Sequence, residues 1–572
     1  MSAVHSISIP PAGMAIGRRP GLPRPRRLKD IGVSGECPGQ GVLALLEEHA
    51  QQHPLNRALV MLDGRHTRAV SYLQLAQRVK RLAAWLSARF PEGGEPIAVL
   101  SSSSPAWGIV ALATIASRNV LVPLDPCMET DALAAALGRV RPAILFSSAA
   151  CADIGGGLTA GGSPTGEILT LDESHLDVTL PAGAVKAATP SAGRPAPGTA
   201  VLGFTSGTTA TPKSVEISFD NLLFQVRAIT RCFALRPSDR FLSLLPMHHM
   251  LEFTTGFLCP LWSGAQIHCS HSLLPDDALG RIRTLGITRV VTVPAWLALL
   301  KRALESSARN GGARQPSTTA LRNHARTALG SDFEHFVCGG APLADSVADF
   351  FETVGAPIIQ GYGLTETGPV VSTNTRNAIR RGSVGRPLSG TETRFSDAGE
   401  ILVRGPQVAG RYRLDTGPEE SVTDDKGWFH TGDLGHMDAD GFLFVTGRIK
   451  STIVLASGKN VQPEEIEGRL QACDAISECC ALALGERDSA RGEEIGLVTV
   501  PSPGFLQACK AAGDDVEQIL QRRVHEALAS LAPHKRPRRL FLREQSLPRT
   551  ETGKLRRQEL TAWAKARQES PS

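Results

Sequence analysis

Val201-Leu-Gly-Phe-Thr205-Ser206-Gly207-Thr208-Thr209-Ala210-Thr-Pro-Lys213-Ser-Val-Glu-Ile-Ser-Phe219 is the stretch on which the fold turns. It opens with a short apolar run, passes through hydroxyls and glycine to Pro-Lys, and leaves by Val215–Phe219, which alternates as a strand does. Outward from it, residues 40–500 alternate short apolar runs with longer amphipathic stretches. Val42–Gln51 precedes Ala58–Leu62, Asp131–Val140 precedes Ile144–Phe146, and Val290–Val293 precedes Ala295–Leu304. Strands alternating with helices predict an α/β chain of layered, mostly parallel sheets flanked by helices. Past residue 446 the texture becomes compact and charged, with helices near Glu464–Ala472 and Asp515–Leu531. The expected organisation is a basic arm over 1–35, a large domain over 36–449 and a small α+β domain over 450–572.

The 572 residues are 42% hydrophobic and 20% charged, with mean hydropathy −0.06, which excludes a fibre, a coiled coil and disorder throughout. The net charge of +5 lies in the first thirty residues, where Arg18, Arg19, Arg24, Arg26, Arg27 and Lys29 face only Asp30. A nucleic-acid partner would require that excess on the folded surface, so none is expected. The Pro- and Arg-rich arm reads as disordered, with a phosphate- or lipid-headgroup-binding role as the alternative. It has no secretory h-region. Pro96–Ser117 and Phe253–Pro275 carry too many breakers and polar residues to span a bilayer. The 11 cysteines include no Cys-x-x-Cys spacing, which fits free thiols in a reducing cytoplasm, with any membrane contact peripheral and at the inner surface. Gly155–Gly162 with Pro190–Pro197, and Ser306–Thr319, read as surface loops.

The opening stretch nearly satisfies a phosphate-cradling P-loop. Hydroxyls and glycine let backbone N–H groups approach phosphate oxygens, and Lys213 adds a point charge. Pro212, however, removes the N–H before the lysine, and a strand follows where that loop requires a helix. The remaining chemistry-bearing segments come in order: Gly339-Gly340-Ala341-Pro342-Leu343, Gln360-Gly361-Tyr362-Gly363-Leu-Thr365-Glu366-Thr367, Gly427–Leu434 with Asp433, Asp438–Arg448, Ile449-Lys450-Ser451 and Leu547–Arg557 with Lys554. Tyr362 between glycines offers a flat face to a purine, and Glu366 a hard oxygen to Mg²⁺.

Together these motifs resemble the adenylate-forming superfamily of acyl-CoA synthetases, peptide-synthetase adenylation domains and luciferases, over residues 40 to 560. The resemblance implies that Thr205–Thr209 and Lys213 hold phosphates, Gly339–Pro342 and Gln360–Gly363 the adenine, and Asp433 and Arg448 the ribose. It further implies that Thr365 donates to the α-phosphate, Glu366 holds Mg²⁺, Lys450-Ser451 is the hinge of a mobile small domain, and Lys554 is catalytic. Ala210 and Ser451 depart from the usual glycine and charged residue. Leu244–Leu258 resembles the acyl-pocket segment, with His249 at the carboxylate entry and Met250, Phe253, Gly256 and Phe257 lining the pocket. No aspartate stands there to pair with an amino acid's ammonium. The wording is most similar to bacterial long-chain fatty acid activators, which implies ATP, Mg²⁺ and coenzyme A. The alternatives are a phosphopantetheine carrier protein as acceptor, or a weakly active nucleotide-binding paralogue.

Overall fold

Capping residues set several element boundaries. Ser71 closes a capping box with Gln74 at the start of the helix Tyr72–Arg89. Ser218 does the same with Asn221, so Phe219 begins the helix Phe219–Phe233 rather than ending the preceding strand, which runs Ser214–Ser218. The helix Pro105–Ala116 follows a Ser104 cap with proline at its first turn and is buried on every side, as a helix between two sheets must be.

The computed structural model describes residues 38–63, 66–151, 166–172, 176–181, 185–188, 194–204, 213–309, 317–413, 420–455, 457, 459–471, 473–485, 493–550 and 554–569. The basic arm, Gly155–Gly162, the loop Thr205–Pro212 with Ala210, and parts of Pro190–Pro197 and Ser306–Thr319 lie outside the described residues.

Among the described residues two nine-stranded sheets build the large domain. One has a parallel interior of Ile358–Tyr362, His335–Cys338, Arg289–Thr292, Arg240–Ser243, Gln266–Ser270 and Arg57–Asp63, with antiparallel edges. The other is parallel through Thr199–Phe204, Val120–Leu124, Pro96–Leu100, Ile144–Ser148 and Glu167–Asp172. Antiparallel Ser214–Ser218 and Arg411–Arg413 extend it beyond Thr199–Phe204. Trp107, Phe253 and Phe257 fill the core between the sheets. A four-stranded antiparallel sheet ends with Phe429–Met437 and Leu443–Arg448.

The small C-terminal domain has its own three-stranded sheet of Ile476–Gly485, Glu493–Pro501 and Arg539–Leu542. Its two apolar clusters draw, among the described residues, on nothing before Ile453. Pro38–Ser572 nonetheless packs as one unit. No helix among the described residues is long and apolar enough to cross a membrane.

Candidate active site

The site forms where parallel strands end, the usual location for ligands in open α/β sheets. Gly339–Leu343 follows the strand His335–Cys338, and Tyr362 ends Ile358–Tyr362. Gly363 is obligatory: a Cβ there would lie 1.7 Å from the Pro369 carbonyl oxygen. Thr365 and Glu366 sit in the 3₁₀ turn Thr365–Thr367, and the methyl of Thr365 would be 2.9 Å from a Cβ at Gly203. Gly203 therefore brings this turn against the strand that feeds the 205–212 connection.

Asp433 is 3% exposed and pairs in register with Arg448 across two antiparallel strands. Its carboxylate accepts from Tyr362 Oη at 2.7 Å and from Arg448 Nε at 2.5 Å. Burial, and then Asp433, holds the Tyr362 phenol protonated and donating. Each carboxylate oxygen keeps a lone pair for a further donor, as a ribose diol would supply.

Glu366 is held from two directions. Its backbone oxygen accepts from Ala409 N at 2.8 Å, and its Oε1 from Tyr412 Oη at 3.1 Å. Tyr412 also carries Lys213 Nζ 4.9 Å from its ring centroid, while Lys213 reaches Glu420 at 3.2 Å. Sequence reasoning missed Tyr412, because its position comes from the pairing of Arg411–Arg413 with Ser214–Glu216 across some two hundred residues. Among the described residues no group of three or more His, Cys, Asp or Glu could hold a metal. A lone carboxylate suits Mg²⁺ that arrives with phosphates and keeps its waters, so Glu366 fits that ion.

Lys554 reaches this site from the small domain. Burial, then Arg448, lowers its pKa from the ordinary lysine value, against the attraction of Asp433 and Glu366. Thr550 and Lys554 are tied together twice: Thr550 N donates to Lys554 O at 2.8 Å, and Lys554 N to Thr550 Oγ1 at 3.1 Å. The 3₁₀ turn Ile449–Ser451, which contains Lys450, follows the strand Leu443–Arg448. Beyond it Thr452 Oγ1 donates to Arg448 O at 3.0 Å and accepts from Gln462 at 2.8 Å.

His248 and His249 follow the strand Arg240–Ser243, their rings 4.2 Å apart. Met250 lies 3.9 Å from the Cβ position of Gly203. Phe253 and Phe257 pack at 5.8 and 6.4 Å from the Trp107 ring, within the closed core. The open side of Gly256 is taken by Glu252, whose Oε1 would be 2.5 Å from a Cβ there. Glu252 opens a π-helical segment, Glu252–Leu258, and is fully buried. Burial raises its carboxyl from 4.5 to about 8, with the Ser243 hydroxyl opposing. The folded protein therefore keeps this proton while the unfolded chain releases it. Stability is lost as pH rises from about 4.5 towards 8, on the order of 3 kcal/mol by neutrality. Glu252→Gln removes the loss: its melting temperature is expected to match the parent at pH 5 and exceed it at pH 8.

A carboxylate–tyrosine–arginine cluster, a second carboxylate and a lysine thus share one region of the fold. Residues 46–413 match the AMP-binding enzyme family, and residues 465–554 the C-terminal domain of AMP-binding enzymes. The long-chain-fatty-acid–CoA ligase FadD15 of Mycobacterium bovis is 29% identical over 533 residues, 84% of this chain and 86% of that one. Feruloyl-CoA synthase of an Amycolatopsis species is 27% identical over 502 residues, covering 85% and 92%. The crystal structure of ATP-bound MatB from Rhodopseudomonas palustris superposes with a TM-score of 0.73 at 23% identity, covering 91% and 99%. The chain belongs to the AMP-binding enzyme family. It is an ATP-dependent, AMP-forming acid–thiol ligase.

Proposed function

We propose that the chain converts a medium- or long-chain fatty acid to its acyl-CoA in two steps. A carboxylate oxygen attacks the α-phosphorus of ATP, the bond to the bridging oxygen breaks, and acyl-AMP and pyrophosphate form. The thiol of coenzyme A then attacks the acyl carbon and AMP leaves. The convergence of Lys554 with Glu366, Asp433 and Arg448 is the observation that carries this reading.

Each residue has a task in the first step. Asp433, held by Tyr362 and Arg448, accepts from the ribose hydroxyls. Thr365 donates to the α-phosphate, and Lys213 with the 205–209 hydroxyls and amides holds the outer phosphates. Glu366 would hold Mg²⁺, which when bound would supply the positive charge that offsets the departing pyrophosphate. Lys554 stabilises charge that gathers on the entering carboxylate and the transferring phosphoryl oxygens. The small domain, residues 450–572, then turns about Lys450-Ser451 and admits the thiol. The aliphatic preference is supported by similarity to FadD15. ATP–pyrophosphate exchange against fatty, aryl and amino acids tests it: exchange is expected with fatty acids of six or more carbons, and a preference for aryl or amino acids would overturn it.

Tyr412→Phe deletes one hydrogen bond to a charged group and keeps the ring beneath Lys213. Such a bond contributes about 1.5–3 kcal/mol, so the Mg²⁺ concentration giving half-maximal exchange is expected to rise about tenfold. An unchanged Mg²⁺ titration would contradict the role given to this contact.

A further inference from the structure

The loop carrying Lys554 is anchored on both sides of its stem. On the incoming side, Arg549 Nη2 pairs with Glu478 Oε2 at 2.9 Å, and Arg556 N closes the stem onto Pro548 O at 2.9 Å. On the outgoing side stands Arg557, first residue of the helix Arg557–Glu569 and three positions after Lys554. Its guanidinium grips Glu467 with both arms, Nη1 to Oε1 at 2.5 Å and Nη2 to Oε2 at 2.7 Å. It also donates to Ala481 O at 2.8 Å and to Glu464 Oε1 at 3.2 Å. Glu467 in turn accepts from Ala481 N at 2.8 Å. Glu464 and Glu467 lie on the helix Pro463–Leu470, which follows the turn Ile449–Ser451.

This bidentate pair joins three elements: the first helix of the small domain, the strand Ile476–Gly485 and the exit of the lysine loop. All of its partners belong to the small domain, so it moves as part of that domain. The helix that Arg557 opens is held independently by Leu560 and Ala564, packed with Leu482, Val498 and Leu547. The clamp is therefore placed to set where the loop leaves the domain rather than whether the helix docks.

We propose that Arg557 is a positioning residue for Lys554, its fork on Glu467 fixing the loop stem so that the ammonium meets the α-phosphoryl group. The inference rests on the ligase reading above and adds a residue that acts only in the first half-reaction. Lysine at 557 keeps the charge and loses the planar fork; glutamine loses both.

The test compares full-length wild type, Arg557→Lys, Arg557→Gln, Glu467→Gln and the Arg557→Gln/Glu467→Gln double variant. Acid-dependent ATP–pyrophosphate exchange, thiolysis of supplied acyl-AMP by coenzyme A, and thermal melts are measured on each. Loss of a charged, bidentate hydrogen bond predicts an exchange kcat lower by about 10–100-fold in Arg557→Gln, with partial rescue in Arg557→Lys. The KM for ATP and the thiolysis rate are expected within about twofold of wild type, since neither depends on where Lys554 points. The double variant removes the Glu467 carboxylate together with its partner, so that only Glu464 loses a contact, and it is expected to be no slower than Arg557→Gln, because Arg557 and Glu467 act as a unit. Should Arg557→Gln melt too low to assay, Glu467→Gln and Arg557→Lys carry the same comparison. Unchanged exchange in the variants, or an equal fall in both half-reactions, would overturn the inference. Absence of acid-dependent exchange in wild type would instead overturn the ligase reading.

Discussion

Replacing Lys554 with alanine is expected to lower acid-dependent ATP–pyrophosphate exchange by about 10²–10³-fold, the loss typical of a preorganised transition-state contact, and to leave thiolysis of supplied acyl-AMP largely intact. The asymmetry follows from the geometry. Lys554 comes from the small domain, and its charge is felt among Glu366, Asp433 and Arg448, where the α-phosphoryl group must sit if Asp433 holds the ribose. Its lowered pKa reflects burial and the neighbouring Arg448, an arrangement that fresh negative charge in the transition state relieves. Acyl-AMP already contains the transferred phosphoryl group, so the thiol step does not call on this ammonium. Equal loss in both half-reactions would remove Lys554 from the adenylation step.

The second large effect is expected from Asp433→Asn. The carboxylate is 3% exposed and satisfies Tyr362 on one oxygen and Arg448 on the other. The amide keeps one acceptor and turns two N–H donors towards Arg448 or Tyr362, so a buried donor loses its partner. Hydrogen bonds to charged groups contribute about 1.5–3 kcal/mol, and the ribose loses its charged acceptor as well. The KM for ATP is expected to rise about 30–100-fold, with a parallel fall in AMP affinity measured by calorimetry. An unchanged AMP affinity would show that the ribose is held elsewhere.

Residues with a chemical signature and a local neighbour were the readable part of this site. Asp433 and Arg448 stand in two segments that pair across a hairpin, and Tyr362 ends a strand three residues before the turn that holds Thr365 and Glu366, so order in the sequence was close to proximity in space. The alternation of apolar runs with amphipathic stretches foretold the layered sheets for the same reason, since periodicity is local. What stayed hidden came from long-range packing. Tyr412 sits in Gly410-Arg-Tyr-Arg413, which has no motif of its own, and reaches Glu366 only after its strand pairs beside Lys213. Gly256 read as a residue lining the acyl pocket, whereas the Glu252 carboxyl, one turn before it, stands where a side chain at 256 would go. Phe219 alternated as a strand residue, and the Ser218–Asn221 capping box made it the first residue of a helix. Arg557 ended the segment Leu547–Arg557 with no role assigned to it, because its fork meets Glu467 ninety residues away in the chain.

Incubation of the full chain with ATP, Mg²⁺, coenzyme A and a fatty acid carrying ¹⁸O in both carboxyl oxygens tests the central chemistry most directly, with the products read by mass spectrometry. Attack of the carboxylate on the α-phosphorus followed by thiolysis at the acyl carbon places one ¹⁸O in AMP, one in the thioester carbonyl and none in pyrophosphate. Label in pyrophosphate or inorganic phosphate, or unlabelled AMP beside a labelled thioester, would contradict an acyl-adenylate route.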